Sequence, residues 1–341
     1  MAGLDRPAYQ EIENSKETTL MHAPLLRACL VCLTLALGGL AQAATDWPER
    51  PITLVVPFGA GGLTDLPARP VAKQLQAELG KPVVVENKPG AGGNIAADIV
   101  ARAKPDGYTL MVITNGMVAV NPLIHKQLNY DALKDFAYVS MIANTPLALV
   151  VPQDSPIQDL PALVTRARSK PDAVSFASSG QGTSIHQVFA LMQRQTGATL
   201  MHVPYKSGAE AATALLSGVV DVTAVETVVV GPFIQSGRMR ALGVTSAQRV
   251  SNLADVPAAR EALGGDFDVG SISGLVAPAA TARSILDKLE HAMQAVAQSE
   301  GMAQLHAQGS QPMPAGSQVF LERMRQEQQK WRLVFSAEPG K

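Results

Sequence analysis

Residues 52–65 read ITLVVPFGAGGLTD. Ile52 to Pro57 is a short apolar run rich in β-branched residues, and Phe58-Gly59-Ala60-Gly61-Gly62 is a glycine loop. Leu63-Thr64-Asp65 then opens a segment of helical spacing. A buried strand running through a tight loop into a helix is the unit of α/β construction, and the same grammar recurs along the chain. Val83–Glu86, Tyr108–Thr114, Ala137–Ile142 and Leu147–Val151 read as further strands of a first series. Val174–Ala177, Leu200–Val203, Val219–Val225, Ala241–Thr245 and Val269–Val276 read as a second.

Helical patterns lie between these runs. In Thr183–Gln195, residues Ile185, Val188, Phe189 and Met192 share one face. Asp159 followed by Leu160-Pro161 places a cap and a first-turn proline where a helix start wants them. Pro67 suits a first helical turn, whereas Pro70 is expected to bend or delay the helix after Asp65. The tail from Thr281 to Phe335 is helical, with Ile285, Leu289 and Met293 spaced by four, and is polar enough to lie on a surface. Two strand series without a Pro/Gly-rich linker predict two domains joined by crossing strands, as in hinge-closing binding proteins. The crossings are expected near Ala148–Pro152 and Ser271–Val276.

The chain has 341 residues, 47% hydrophobic and 17% charged, enough to bury a core and to form two domains. With 28 basic and 29 acidic residues it has no field that would favour nucleic acid or an anionic membrane. Arg27 is followed by an apolar run, Ala28–Leu40, and by small residues at Ala41 and Ala43, the pattern of a cleaved signal peptide. The run of about 13 residues is short against the roughly 20 that span a bilayer. Cleavage is expected near Ala43/Ala44, with residues 21–43 as the signal and 1–20 as an extension or a mis-assigned start. Cys29 and Cys32 both lie in that run, so the exported chain has no disulfide, Cys metal site or Cys nucleophile. Removing residues 1–43 takes away Arg6, Lys16 and Arg27 with Asp5, Glu11, Glu13 and Glu17, which leaves a neutral protein.

In open α/β sheets, ligands bind beyond the carboxyl ends of the strands. Glycines there admit a ligand to the backbone, and free N–H groups of loop and helix start suit an anion. The loop at 58–65 fits that use, but the same glycines would serve a tight turn capped by Thr64 or Asp65; the residues leave both readings open. In Lys88-Pro89-Gly90-Ala91-Gly92-Gly93-Asn94 close backbone packing is preferred over ligand contact. Ala177-Ser178-Ser179-Gly180-Gln181-Gly182-Thr183-Ser184 is again strand, small polar loop and helix, suited to a carboxylate and able to face the first loop across two domains.

Dinucleotide and Walker fingerprints are absent. Ser184 and His186 are two apart, diverge on a helix and form no nucleophile–base pair, and no G-x-S-x-G elbow occurs. His186 reads as a cap or interdomain hydrogen-bonding residue. The six histidines lack metal spacing. Neither a metal nor a cofactor is expected, and the chain reads as a binding protein and not an enzyme.

Seven segments in order carry a resemblance: 47–65, 83–115 (VVVENKPGAGGNIAADIVARAKPDGYTLMVITN), 121–136, 178–186 (SSGQGTSIH), 202–222 (HVPYKSGAEAATALLSGVVDV), 240–249 and 274–279. Together they resemble the Bug-type receptors of tripartite tricarboxylate transporters, across nearly all of the exported chain. The resemblance implies an α/β, two-domain periplasmic binding protein of the Venus-flytrap type, with mixed sheets flanked by helices and a hinge of crossing strands. Domain 1 would comprise 44–148 and 275–341, and domain 2 residues 149–274. It implies capture of a small carboxylate by a monomer and delivery to membrane permease subunits. A secreted hydrolase or transferase, and a receptor feeding a sensor kinase, are the alternatives.

Carried over by position, one clamp falls on Phe58, Gly61, Gly62, Thr64 and Asp65, and the other on Ser178, Gly182, Thr183 and Ser184. Asn115 and Tyr205 match further pocket positions, although Tyr205 equally suits a packed aromatic. The chain departs from the family where Met-Phe-Asp-Asn becomes Thr223-Ala224-Val225-Glu226. An acid is thereby replaced by Val225, and Glu226 is expected to point elsewhere because strand neighbours alternate faces. Ser271-Ile272-Ser273 likewise replaces an aromatic, so the far end of the ligand is expected to be less polar than the family's acidic amino acids.

Overall fold

The structure is a computed structural model that describes residues 47–62, 64–313 and 316–335. The expected signal segment and both cysteines lie outside the described residues.

Strands β1 (Ile52–Val56), β2 (Val83–Asn87) and β3 (Thr109–Thr114) alternate with helices α1 (Asp65–Leu79) and α2 (Asn94–Ala101). A π-turn at Gly116–Val120 and the short α3 (Asn121–Ile124) lead to β4 (Phe136–Pro152). There follow α4 (Leu160–Ser169), β5 (Ser175–Ser178), α5 (Ser184–Thr196), β6 (Met201–Pro204), α6 (Gly208–Leu216), β7 (Val222–Glu226) and α7 (Thr227–Gln235). The last part holds β8 (Met239–Val244), α8 (Ala259–Leu263), β9 (Gly270–Pro278), α9 (Arg283–Ala297), α10 (Glu300–Ala307), β10 (Gln311–Pro312) and α11 (Ser317–Phe335).

The strands connect in the order β2-β1-β3-β9-β4-β7-β5-β6, with β8 and β10 also on β4. β1 is parallel to β2 and β3, and β5 is parallel to β6 and β7, whereas β4 and β9 run antiparallel to their neighbours. The two runs read from sequence as Ala137–Ile142 and Leu147–Val151 are one strand of 17 residues. Its first part, through Pro146, pairs with β9, and from Leu147 it pairs with β7. Pro146, which lacks an N–H, sits at this changeover, where a missing donor costs least.

The passage between strand sets falls at Pro146–Leu147, slightly ahead of the expected Ala148–Pro152. On the returning chain it falls near Val269, whose N–H bonds Thr245 O at 2.8 Å, ahead of the expected Ser271–Val276.

One apolar core gathers Leu149, Phe176, Phe189 and Val225, and another gathers Met111, Ile113, Met141 and Tyr138. The terminal helix is more than a surface element. Its Phe320 and Met324 are buried in the second of these cores and its Trp331 in the first, so α11 ties the two together. Pro70 stands inside α1 without ending it, packed against Gly301 at the start of α10, where an added Cβ would come within 2.5 Å of the ring.

Candidate functional site

The chain places the ends of β1, β3, β5 and β6, or the segments that follow them, around one point, as the carboxyl-end rule for such sheets requires. A cavity of about 10 Å³ remains there, lined by Phe58, Thr114, Ser179, Thr183, Ser184 and Gly208. That is about the room one water molecule needs.

The first loop, after β1, is held by Asp65. Its carboxylate accepts from Gly61 N–H at 2.9 Å, from Arg69 through Nε (2.9 Å) and Nη2 (3.1 Å), and from Asn87 Nδ2 at 3.0 Å. Burial opposes its charge, but the bonds from Gly61, Arg69 and Asn87 and the Arg69 charge hold the carboxyl below the ordinary carboxylate range. Asp65 therefore braces the loop: its oxygens are occupied acceptors, and its own N–H bonds Gly62 O at 3.0 Å. Gly61 adopts φ 73°, which glycine meets without strain, and its N–H is likewise spent. Thr64 differs. Its hydroxyl is wholly buried and has no hydrogen-bond partner, so it is a donor held ready.

Across the cavity, Thr183 caps α5 by backbone alone, because its hydroxyl donates to Gly180 O at 2.7 Å. The first-turn N–H groups of this 13-residue helix have no side-chain acceptor, which leaves a partial positive charge facing the cavity at Ser184. Ser184 Oγ donates to Ser271 Oγ at 2.9 Å. Gly182, at φ 82°, gives its N–H to His186 Nδ1 at 3.3 Å, a bond local to the helix start and not an interdomain one. Burial and the neighbouring His202 push the His186 imidazole down to about 3, which keeps it neutral and accepting.

Ser178 is wholly buried beneath this loop. Its Oγ accepts from Gly180 N–H at 3.0 Å and lies 2.6 Å from His202 Nε2. Among the described residues no acid hydrogen-bonds His202 to orient it as a base, so the pair is a structural contact.

The strand sets meet through glycines. Gly59 N–H bonds Lys206 O at 3.2 Å, and a Cβ on Gly62 would stand 3.2 Å from Ser207 Cβ. A Cβ on Gly92 would meet Gln181 O at 2.5 Å, and one on Gly116 would meet Gly182 O at 2.6 Å. The loop at 88–94 thus serves backbone packing, in line with its reading from sequence.

Several candidates fall outside the cavity wall. Asn115 is buried with its amide committed: Nδ2 donates to Gly270 O (3.1 Å) and Glu327 Oε2 (3.3 Å), and Oδ1 accepts from Ile272 N–H (3.3 Å). It pins β3, β9 and α11 together. Tyr205 is half-buried against the core, with its N–H on Ser178 O at 2.7 Å, which fits its reading as a packed aromatic. Val225 is fully buried, opposite Ala148 on β4.

Thr114 and Ser179 were missed by one position each, being the residues before Asn115 and after Ser178. Gly208 was legible: Ser207 accepts from Glu210 N–H at 3.2 Å and Glu210 accepts from Lys206 N–H at 3.2 Å, a helix-start signature within Lys206-Ser207-Gly208-Ala209-Glu210. Glu226 was also missed. Its carboxyl approaches Gly208 and is pushed up to about 7 by burial.

Two strand sets passing through shared strands, with loops of both closing on one small cavity, define a two-lobed binding protein of the periplasmic type. Residues 67–338 match the family described as tripartite tricarboxylate transporter family receptor (TctC), and the chain belongs to that family. BugT of Bordetella pertussis is 33% identical over 306 residues, covering 89% of this chain and 94% of that one. MatC from Rhodopseudomonas palustris, solved with bound malate, superposes with a TM-score of 0.82 at 31% identity, covering 85% of this chain and 100% of that chain. The R. palustris protein Rpa4515, solved with adipate, gives 0.81 at 33%, covering 85% and 97%. The protein is accordingly a solute-binding receptor and not an enzyme. Among the described residues, no helix is long and apolar enough to cross a membrane.

Proposed function

We propose that this receptor is exported, with cleavage near Ala43/Ala44, captures a small organic carboxylate between its two lobes as a monomer, and hands it to permease subunits in the membrane. The lobe borders expected from sequence at 148/149 and 274/275 move in this reading to 146/147 and 269/270, which strand pairing supports. The observation that carries the reading is a set of unspent donors, the uncapped start of α5 at Ser184 in the cavity wall and the unpartnered hydroxyl of Thr64 in the segment that follows the lining residue Phe58. An anion suits such donors because it would satisfy both. Malate and adipate in the two R. palustris relatives agree with a carboxylate.

Thr183, Ser184, Thr64, Gly62 and Phe58 form the clamp in this reading, while Asp65, Ser178 and Gly182 shape the loops. A cavity of about 10 Å³ admits no dicarboxylate, so entry requires the lobes to part at Gly59–Lys206 and Ser184–Ser271 and close again. The test is thermal melting and small-angle scattering of the purified protein with malate, adipate and a wider carboxylate panel. A raised Tm and a smaller scattering radius with at least one acid are expected. No response to any acid would refute the proposal.

A further inference from the structure

Glu226 is 1% exposed, and its Oε2 has no hydrogen-bond partner. Strand alternation would turn it away from Val225, but the two side chains converge on Gly208. A Cβ built on Gly208 would lie 3.2 Å from Val225 Cγ1 and 3.1 Å from Glu226 Oε2. The reason is local: Glu226 is both the last residue of β7 and the residue that opens α7, with φ −54° and ψ 137°, so the extended geometry that enforces alternation ends there. Gly208 lines the cavity together with Phe58, Thr183 and Ser184. The unpaired carboxyl therefore stands one glycine behind the cavity wall.

The surroundings of this acid supply no counter-charge. Leu147 faces it on β4, Gly208 on α6 and Thr227 follows it on α7, with Ile185 of α5 flanking the same point. None is ionisable. Burial is what perturbs the carboxyl, and no neighbouring charge contributes. The same cavity wall carries the start of α5 at Thr183 and Ser184. A site that combines donors with a lone acid complements a molecule with an anionic group and a cationic one. A second carboxylate beside Glu226 would meet a like charge, and an apolar group would leave the acid as buried and unpaired as it is without a ligand.

We propose that Glu226 is a specificity-determining residue that pairs with a protonated amine, so that the solute is an amino-carboxylate. This replaces the sequence-based expectation of a less polar far end, and it rests on the carboxylate-receptor reading above. The mature-length and full chains both suit the test, which is calorimetric titration with matched pairs: aspartate and succinate, glutamate and glutarate, alanine and propionate, with malate and adipate alongside.

The amino member of at least one pair should bind ten or more times tighter than its deaminated partner. In Glu226→Gln that ratio should fall to within threefold, with the amino member bound more weakly than by the wild type. Equal affinities within every pair of the wild type, or a preference that persists in Glu226→Gln, would overturn the assignment. Binding of malate or adipate without any amino acid would overturn it while leaving the carboxylate reading intact. Silence from every acid would overturn both. If Glu226→Gln does not fold, Glu226→Asp, which keeps the charge, should retain the direction of preference, and loss of that direction in a folded Glu226→Asp would count against the pairing.

Discussion

Replacing Glu226 by Gln keeps the shape of the side chain and removes its titration, which makes it a probe of the site before any ligand is known. The folded carboxyl is pushed up to about 7 from an ordinary value of 4.5 by burial. Between those values the folded chain holds a proton that the unfolded chain releases, so stability is full below about 4.5 and is lost as pH rises through about 7. At about 1.36 kcal/mol per unit, the gap corresponds to on the order of 3 kcal/mol of stability lost between pH 4 and pH 8. Asp65 and His186 slope the other way, since both are held below their ordinary values and lose their contribution on acidification. Subtracting the variant from the wild type cancels these backgrounds.

Urea unfolding at pH 5 and pH 8 measures the difference. Glu226→Gln and wild type should be close at pH 5, and the variant should be the more stable by roughly 3 kcal/mol at pH 8. Parallel stability profiles for the two proteins would show that Glu226 is ionised and partnered in the folded state. That would refute the reasoning from its burial.

Three other substitutions separate clamp from scaffold. Asn115→Ala should lower stability by about 1–3 kcal/mol in denaturant unfolding, because it strands the buried groups of Gly270, Ile272 and Glu327; an unchanged midpoint would free Asn115 for a pocket role. Gly92→Ala places a methyl 2.5 Å from Gln181 O at φ 63°, so the closed form should be hindered, read as a larger scattering radius in the presence of a binding acid. Thr64→Val removes a buried, unpartnered hydroxyl. It should leave the free protein as stable or more so, and weaken carboxylate binding by roughly tenfold or more, as loss of a hydrogen bond to a charged group does.

Much of the fold was legible because burial imposes periods on sequence. The apolar runs at Ile52–Val56 and Thr109–Thr114 and the helical face of Ile185, Val188, Phe189 and Met192 appear where the pattern placed them. The continuity of β4 was hidden by Asn144-Thr145-Pro146, which reads as a break but marks the change of partner strand. Likewise the polar majority of α11 concealed Phe320, Met324 and Trp331, whose burial depends on cores built from distant segments.

The amino-acid sequence by itself determined the two strand series, the glycine loops at their carboxyl ends and the ordered segments that mark the family. Backbone propensity and hydrophobic spacing are local, so they survive without a three-dimensional frame. Tertiary structure alone decided which polar groups are spent and which are held open. Asp65 and Asn115 have the chemistry of ligand contacts, but Arg69, Asn87, Gly270 and Glu327 reach them first. Thr64 and Glu226 look no more functional in sequence, and only folding leaves the Thr64 hydroxyl and Glu226 Oε2 buried without partners. Hydrogen-bond satisfaction depends on who arrives from far along the chain, and that information is not carried by neighbours in sequence.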